Sequence, residues 1–131
     1  LEDIAGFERY VARQGTTVLK FFLNVSRREQ KARFLERIDR PEKNWKFSEA
    51  DVSERRHWDG YMEAYEDAIR RTACKDAPWY VVPADNKWFT RLVVAAAVVD
   101  ALRRLDLSYP EVGEARKKGL AQARRALMGE R

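Results

Sequence analysis

Five cations in the run RFLERIDRPEKNWKFS, residues 33–48, offer the clearest chemistry in this sequence. Arg33, Arg37, Arg40, Lys43 and Lys46 follow one another at steps of four, three, three and three. On a continuing helix those steps keep the side chains near one side. Arg presents a planar fork that bonds phosphate bidentately and Lys a compact charge, so their alternation suits a flexible chain of phosphates. Glu36, Asp39 and Glu42 lie among them, but exposed ion pairs contribute only about 0–1 kcal/mol each. Such weak pairing leaves the cations available to a polyanion. Pro41 interrupts the row and Trp45 lies near its end, so it is not one uniform solvated helix face.

The wider charge pattern is consistent with that reading without requiring it. The 131 residues carry a net charge of +5. Residues 27–46 hold eight Lys or Arg against four acids, residues 103–131 the same, and the intervening 47–76 five against eight. Two basic blocks flanking an acidic stretch suit a polyanion met at defined places, although ordinary solvated helices carry such charge too. Cys74 is the single cysteine and His57 the single histidine. A disulfide within the chain and a multi-cysteine metal site are thereby excluded, a reducing compartment such as the cytoplasm fits, and His57 is assigned no role. The longest apolar run, LVVAAAVV at 92–99, is too short to span a bilayer and is expected to be buried.

Several chemistries have no motif here. The six glycines, at 6, 15, 60, 113, 119 and 129, include no G-x-x-x-x-G-K phosphate loop. A Ser-His-Asp set, a His-Glu-x-x-His run and an EF-hand loop are also missing.

The elements that must position the cations follow from periodicity. Apolar residues at 4, 7 and 11 followed by Gly15 predict a short amphipathic helix with a glycine just past its end. TTVLKFFLNVS, 16–26, is β-branched, aromatic and nearly continuously apolar, the pattern of a parallel strand buried on both faces. Ser26 with Glu29 reads as a capping box, so a helix is expected from Arg27. Trp79–Val82 reads as a second strand stopped by Pro83, and Asp85 as the cap of a helix from about Asn86 to Leu105. Some fifty residues separate the strands, far more than a minimal parallel crossover needs. The excess reads as a helix capped by Ser48 and Asp51, with Val52, Trp58, Tyr61, Met62, Tyr65 and Ile69 on its apolar side. Residues 111–131 read as a peripheral helix or frayed tail.

Ligands in open parallel sheets lie beyond the carboxyl ends of the strands. Asn24 and Ser26, and then Asp85, Asn86 and Lys87, fall at those ends. Lys87 and Arg91, one turn apart, are candidates either for an anion at that helix start or for salt bridges to acids of the crossover. Two strands with one or two helices do not cover both faces of a parallel sheet, so the expected architecture is part of a larger α/β domain.

In RFLERIDRPEKNWKFSEAD, with HWDGYMEAYEDAIRRT and APWYVVPADNKWF following, the sequence closely resembles the family-2 polyphosphate kinases over about residues 7–110. The pattern R-F-x-x-R-x-x-x-P-x-K-x-W-K-x-S-x-x-D, then W-x-x-Y, then A-P-W-Y-x-V, occurs in order. The resemblance implies a P-loop kinase-like three-layer α/β/α domain with parallel strands, of which this chain would be a single, mostly helical C-terminal portion with a helical lid at 27–76. It implies phosphoryl transfer between inorganic polyphosphate and nucleotides, with magnesium, and PADNKWF is most similar to the branch acting on AMP and ADP to give ADP and ATP. It assigns Arg33, Arg37, Lys43 and Lys46 to the lid and its hinge, Arg37 to catalysis, and Lys87 and Arg91 to the helix after the last strand as phosphate or nucleotide contacts. Asn44 departs from the basic residues also found at that place in relatives. The family's glycine loop and metal-binding Asp-Arg segment would lie before Leu1, so metal ligands are not expected here, and the fragment alone is expected to be inactive. The uncovered sheet leads us to expect self-association, the lone cysteine a cytoplasmic protein, the short apolar runs no membrane partner, and the aromatics on apolar helical faces no specific nucleic acid. The competing reading is a non-catalytic basic helical module that binds nucleic acid through phosphates or serves self-assembly.

Overall fold

The first helix, α1 (Glu2–Arg13), has acids in its first turn and Arg13 in its last, matching the helix dipole at both ends. Gly15 then takes a φ of +86°. Its N–H donates to the Ala12 carbonyl at 3.0 Å and the Thr16 N–H to the Val11 carbonyl at 3.1 Å, a Schellman closure that turns the chain toward the first strand. The computed structural model describes residues 1–130, which divide into a unit from Leu1 to Ala101 and a second beginning at Leu102.

Strand β1 (Lys20–Asn24) pairs in parallel with β2 (Trp79–Pro83), Phe21 opposite Tyr80 and Asn24 opposite Pro83. The Phe21 and Tyr80 rings stack at 5.2 Å across the pair. The strand expected at 16–26 is shorter than its apolar run: pairing starts at Lys20, and Val25 and Ser26 lead into the next helix. Pro83 closes β2 as its last residue, and the Ala84 N–H continues the ladder to the Asn24 carbonyl at 2.9 Å.

Between the strands run α2 (Arg27–Asp39), a 3₁₀ segment (Pro41–Lys46), α3 (Glu49–Glu54), a 3₁₀ turn (Arg55–His57) and α4 (Trp58–Thr72). The single helix expected after Ser48 is therefore broken at Arg55–His57, and the Ser48 side chain makes no cap bond. After β2 comes α5 (Lys87–Arg104). The second unit contains α6 (Glu114–Gly129), an exposed helix entered from Gly113.

Buried polar bonds tie the first unit together. Lys20 Nζ lies 2.6 Å from Glu8 Oε2 of α1 and donates to the Thr72 carbonyl of α4 at 2.7 Å. It also sits 5.1 Å from the Trp79 ring centre, while the Trp79 indole N–H donates to Thr72 Oγ1 at 2.9 Å. One ammonium thus joins both strands to α1 and α4.

The apolar core is small. Among the described residues only Ala77, Val82 and Ala84 are fully buried hydrophobics. The expectation that β1 is buried on both faces fails, since Leu23 is 49% exposed, and so does burial of 92–99, where Leu92 is 58% exposed. The cause is architectural: a two-stranded sheet has two edges and too few neighbours to cover it. No helix of the described residues is long and apolar enough to cross a membrane.

Candidate functional site

The site is built on the connections that leave the carboxyl ends of the strands. Ser26 Oγ accepts from the Glu29 N–H at 3.1 Å and starts α2 directly after β1. The reciprocal half of the expected capping box is absent. Glu29 turns instead to Arg33 Nε at 2.9 Å, and Asp85 Oδ1 accepts from the Ser26 N–H at 2.7 Å. Asp85, expected as the cap of α5, thus joins the turn after β1 to the turn after β2. Two separately folded strand ends become one rigid floor.

That hydrogen bond from Ser26 holds the Asp85 carboxyl below its ordinary value, with the charges of Arg28 and Arg33 adding to the effect. Because the folded value is lowered, its contribution to stability is complete above the ordinary carboxylate pKa of about 4 and is lost as pH falls through the lowered value. Melts between about pH 6 and pH 3 are expected to show a Tm that drops on acidification, and Asp85→Asn, which keeps an acceptor but cannot titrate, should flatten that dependence. An unchanged slope in the variant would contradict this role.

Arg33 strengthens the same floor. Its Nη2 donates to the carbonyls of Ala84 at 2.6 Å and Asp85 at 3.2 Å, so much of the guanidinium is engaged in structure. Arg37, one turn on, is differently placed. Its Cζ lies 5.6 Å from the Phe34 ring centre, and it has no carboxylate partner among the described residues. Arg33 and Arg37 both line an open cleft of about 510 Å³. Phe22 to Val25 of β1 and its exit form one wall, α2 a second, and Asp51, Glu54, Arg55, Trp58, Tyr61, Met62 and Tyr65 the third.

The remaining cations form a second group. The chain breaks at Arg40, and Lys43 and Lys46 sit on the 3₁₀ segment, three residues apart on its short repeat. Lys43 Nζ lies 2.6 Å from Glu36 Oε1, and Arg40 Nη1 lies 3.6 Å from the same oxygen. The Lys43 hydrogen bond and charge lower the Glu36 pKa, and Arg40 and Lys87 act in the same direction. Glu36 is thus the counter-charge shared by Lys43 and Arg40. Lys46 lies 4.8 Å from the centre of the exposed Trp45 ring and does not line the cleft. Neither Lys87 nor Arg91 forms an ion pair among the described residues.

The cleft also contains a residue to which sequence reasoning gave no role. Arg55 donates to Gln30 Oε1 and to the Arg27 carbonyl at 3.3 Å, and its Cζ stands 6.0 Å from the Phe34 ring centre. It fastens the second 3₁₀ turn to α2. Its only signal in the sequence is its position ahead of W-x-x-Y, and a continuous helix from Ser48 places it on the charged side. Trp58 and Tyr61, expected on an apolar helical face, are cleft wall, with the Tyr61 hydroxyl donating to Glu54 Oε2 at 2.5 Å.

Parallel strands with Arg33 and Arg37 beyond the exit of β1 place these cations where open α/β sheets take their ligands. The chain belongs to the polyphosphate kinase 2 family, whose model matches residues 1–109. A protein of Leptolyngbya boryana encoded in the chlN 3′ region is 54% identical over 98% of this chain and 95% of its own length. An ADP-polyphosphate phosphotransferase of Rhodopseudomonas palustris and an AMP/ADP-polyphosphate phosphotransferase of Meiothermus ruber are each 49% identical, over 96% and 88% of the chain. The crystal structure of polyphosphate kinase 2 from Arthrobacter aurescens TC1 superposes with a TM-score of 0.83 at 42% identity over 93% of the chain. The chain spans 44% and 43% of the lengths of the two phosphotransferases and 44% of the crystallised chain. The mostly helical α/β fold with parallel strands corresponds to part of the P-loop kinase-like fold of that crystallised chain.

Proposed function

We propose that these residues are the lid-bearing C-terminal part of a phosphotransferase that moves phosphoryl groups between inorganic polyphosphate and nucleotides, AMP and ADP yielding ADP and ATP. The names of the two phosphotransferase relatives support the reaction class. The observation that carries the reading is Arg37: a cation in the last turn of α2, lining the cleft beyond β1, with no ion pair among the described residues.

On this reading the helical crossover is the lid. Arg37 bonds the reacting phosphates, where charge builds during transfer, and Arg33 holds the floor while presenting what remains of its fork. Lys43 and Lys46 carry the rest of the phosphate chain, with polyphosphate displacing Glu36 from Lys43. Lys87 and Arg91 supply further phosphate or nucleotide contacts at the start of α5. In phosphoryl transfer the protein mainly positions reactants and neutralises charge, and these residues are suited to both tasks.

Magnesium would supply charge neutralisation between the phosphates. The described residues do not gather three carboxylate, imidazole or thiol groups around one point, so no step here runs through the metal. The 131 residues by themselves are expected to bind polyphosphate without turnover, because they contain no glycine loop. The exposed sheet edge and apolar surfaces favour self-association, and the lone cysteine favours a cytoplasmic setting.

Titration of the chain with inorganic polyphosphate and with duplex DNA of equal phosphate content, at several salt concentrations, tests the reading. Polyphosphate should bind more tightly, and its affinity should fall as salt rises because each contacted phosphate releases counterions. DNA binding of equal or greater strength would contradict it and support the nucleic-acid module.

A further inference from the structure

Pro41 withdraws a donor that α2 needs, and Asn44 returns it. In an uninterrupted helix the Arg37 carbonyl accepts from the backbone N–H four residues on, and here that residue is Pro41, which has none. The Ile38 carbonyl would accept from Glu42, but by Pro41 the chain has turned into the 3₁₀ segment. The Asn44 side chain folds back over this break. Its Nδ2 donates to the Arg37 carbonyl and to the Ile38 carbonyl, each at 2.8 Å. A primary amide has two N–H bonds, and both are directed to carbonyls the helix end had orphaned.

We propose that Asn44 is a positioning residue for Arg37, replacing the backbone donor that Pro41 removes and holding the last turn of α2 so that the guanidinium stays directed into the cleft. The inference rests on the assignment of Arg37 to the phosphates. The geometry explains why an uncharged residue serves inside a row of cations: it acts on the carrier of the charge. Beside it, the hydrogen bond from Lys43 to Glu36 spans the same break.

A double-mutant cycle separates this from a general stabilising effect, because alanine at 41 restores the missing N–H. Asn44→Ala, Pro41→Ala and the double variant are compared by ¹⁵N relaxation of the Arg37 Nε–Hε group and by polyphosphate titration. Asn44 is exposed, so folded chain is expected in every case. In the Pro41 chain, Asn44→Ala should lower the order of the Arg37 side chain and weaken polyphosphate binding about three- to tenfold, the net scale of an intramolecular hydrogen bond. With alanine at 41 the same change should leave the order unaltered and cost less than about twofold. Unaltered Arg37 order after Asn44→Ala, or equal losses in both backgrounds, would overturn the proposal. If the unsubstituted chain binds no polyphosphate, the assignment of Arg37 to phosphate fails, and the relaxation cycle alone decides the role of Asn44.

Discussion

Built into a full-length phosphotransferase of this family, Arg37→Ala is expected to slow turnover by about 10³-fold or more, whereas Arg40→Ala should slow it by less than about fivefold. The two arginines are one turn apart in the same row, and what separates them is their surroundings. Arg37 lines the cleft and forms no ion pair among the described residues, so its charge and planar fork remain for the phosphates. Arg40 is 55% exposed and lies 3.6 Å from Glu36, which also holds Lys43. A docked guanidinium gains strength as charge develops on the transferred group, as arginine fingers do. A solvated one contributes only steering, which fades with ionic strength. Steady-state kinetics on both variants at two salt concentrations decide between these. Equal, salt-sensitive losses would make the row a diffuse attracting surface.

The second large effect is on stability and lies far from the phosphates. Lys20→Met should cost about 3–5 kcal/mol, because it leaves the Glu8 carboxylate without its partner in a site where both side chains are 11% exposed. Against the 5–15 kcal/mol typical of a whole domain, that is a large share. The double change Lys20→Met with Glu8→Leu should recover most of the loss, since an apolar pair of similar volume no longer buries a charge. Urea unfolding of the unsubstituted chain and the two variants measures it. A small loss for Lys20→Met alone would show that water reaches Glu8 and that the pair is ornamental to the fold.

The elements legible in the sequence were those whose signal is local. Gly15 announces the end of α1 because few other residues adopt its φ at low cost, and Ser26 announces α2 because a hydroxyl three residues before Glu29 caps a helix start. The parallel pairing followed from two apolar runs separated by a long helical crossover. Bonds between distant residues were not legible. Ser26 meets Asp85, Lys20 meets Thr72 and Arg33 meets Ala84 across fifty or more positions, and each acid or cation read alone fits a local cap or a solvated charge. The break at Arg55–His57 was hidden for a related reason: its residues are acceptable within a helix, and tertiary bonds from Arg55 to α2 select the tighter turn. Asn44 stood out in the sequence only as a missing cation. Its role became visible once the carbonyls it satisfies were located.

The central claim is that particular cations of α2 and the adjoining 3₁₀ segment hold the phosphate chain. Two-dimensional NMR of arginine Nε–Hε and lysine ammonium groups, recorded while a polyphosphate of defined length is added to this chain, tests it most directly. Arg37, Lys43 and Lys46 should shift together and saturate at one equivalent, while Lys117, Arg124 and Arg125, exposed cations on α6 of the second unit, should move little. Shifts of similar size and similar salt sensitivity in both sets would show a polyanion spread over all basic surfaces, and would contradict the account.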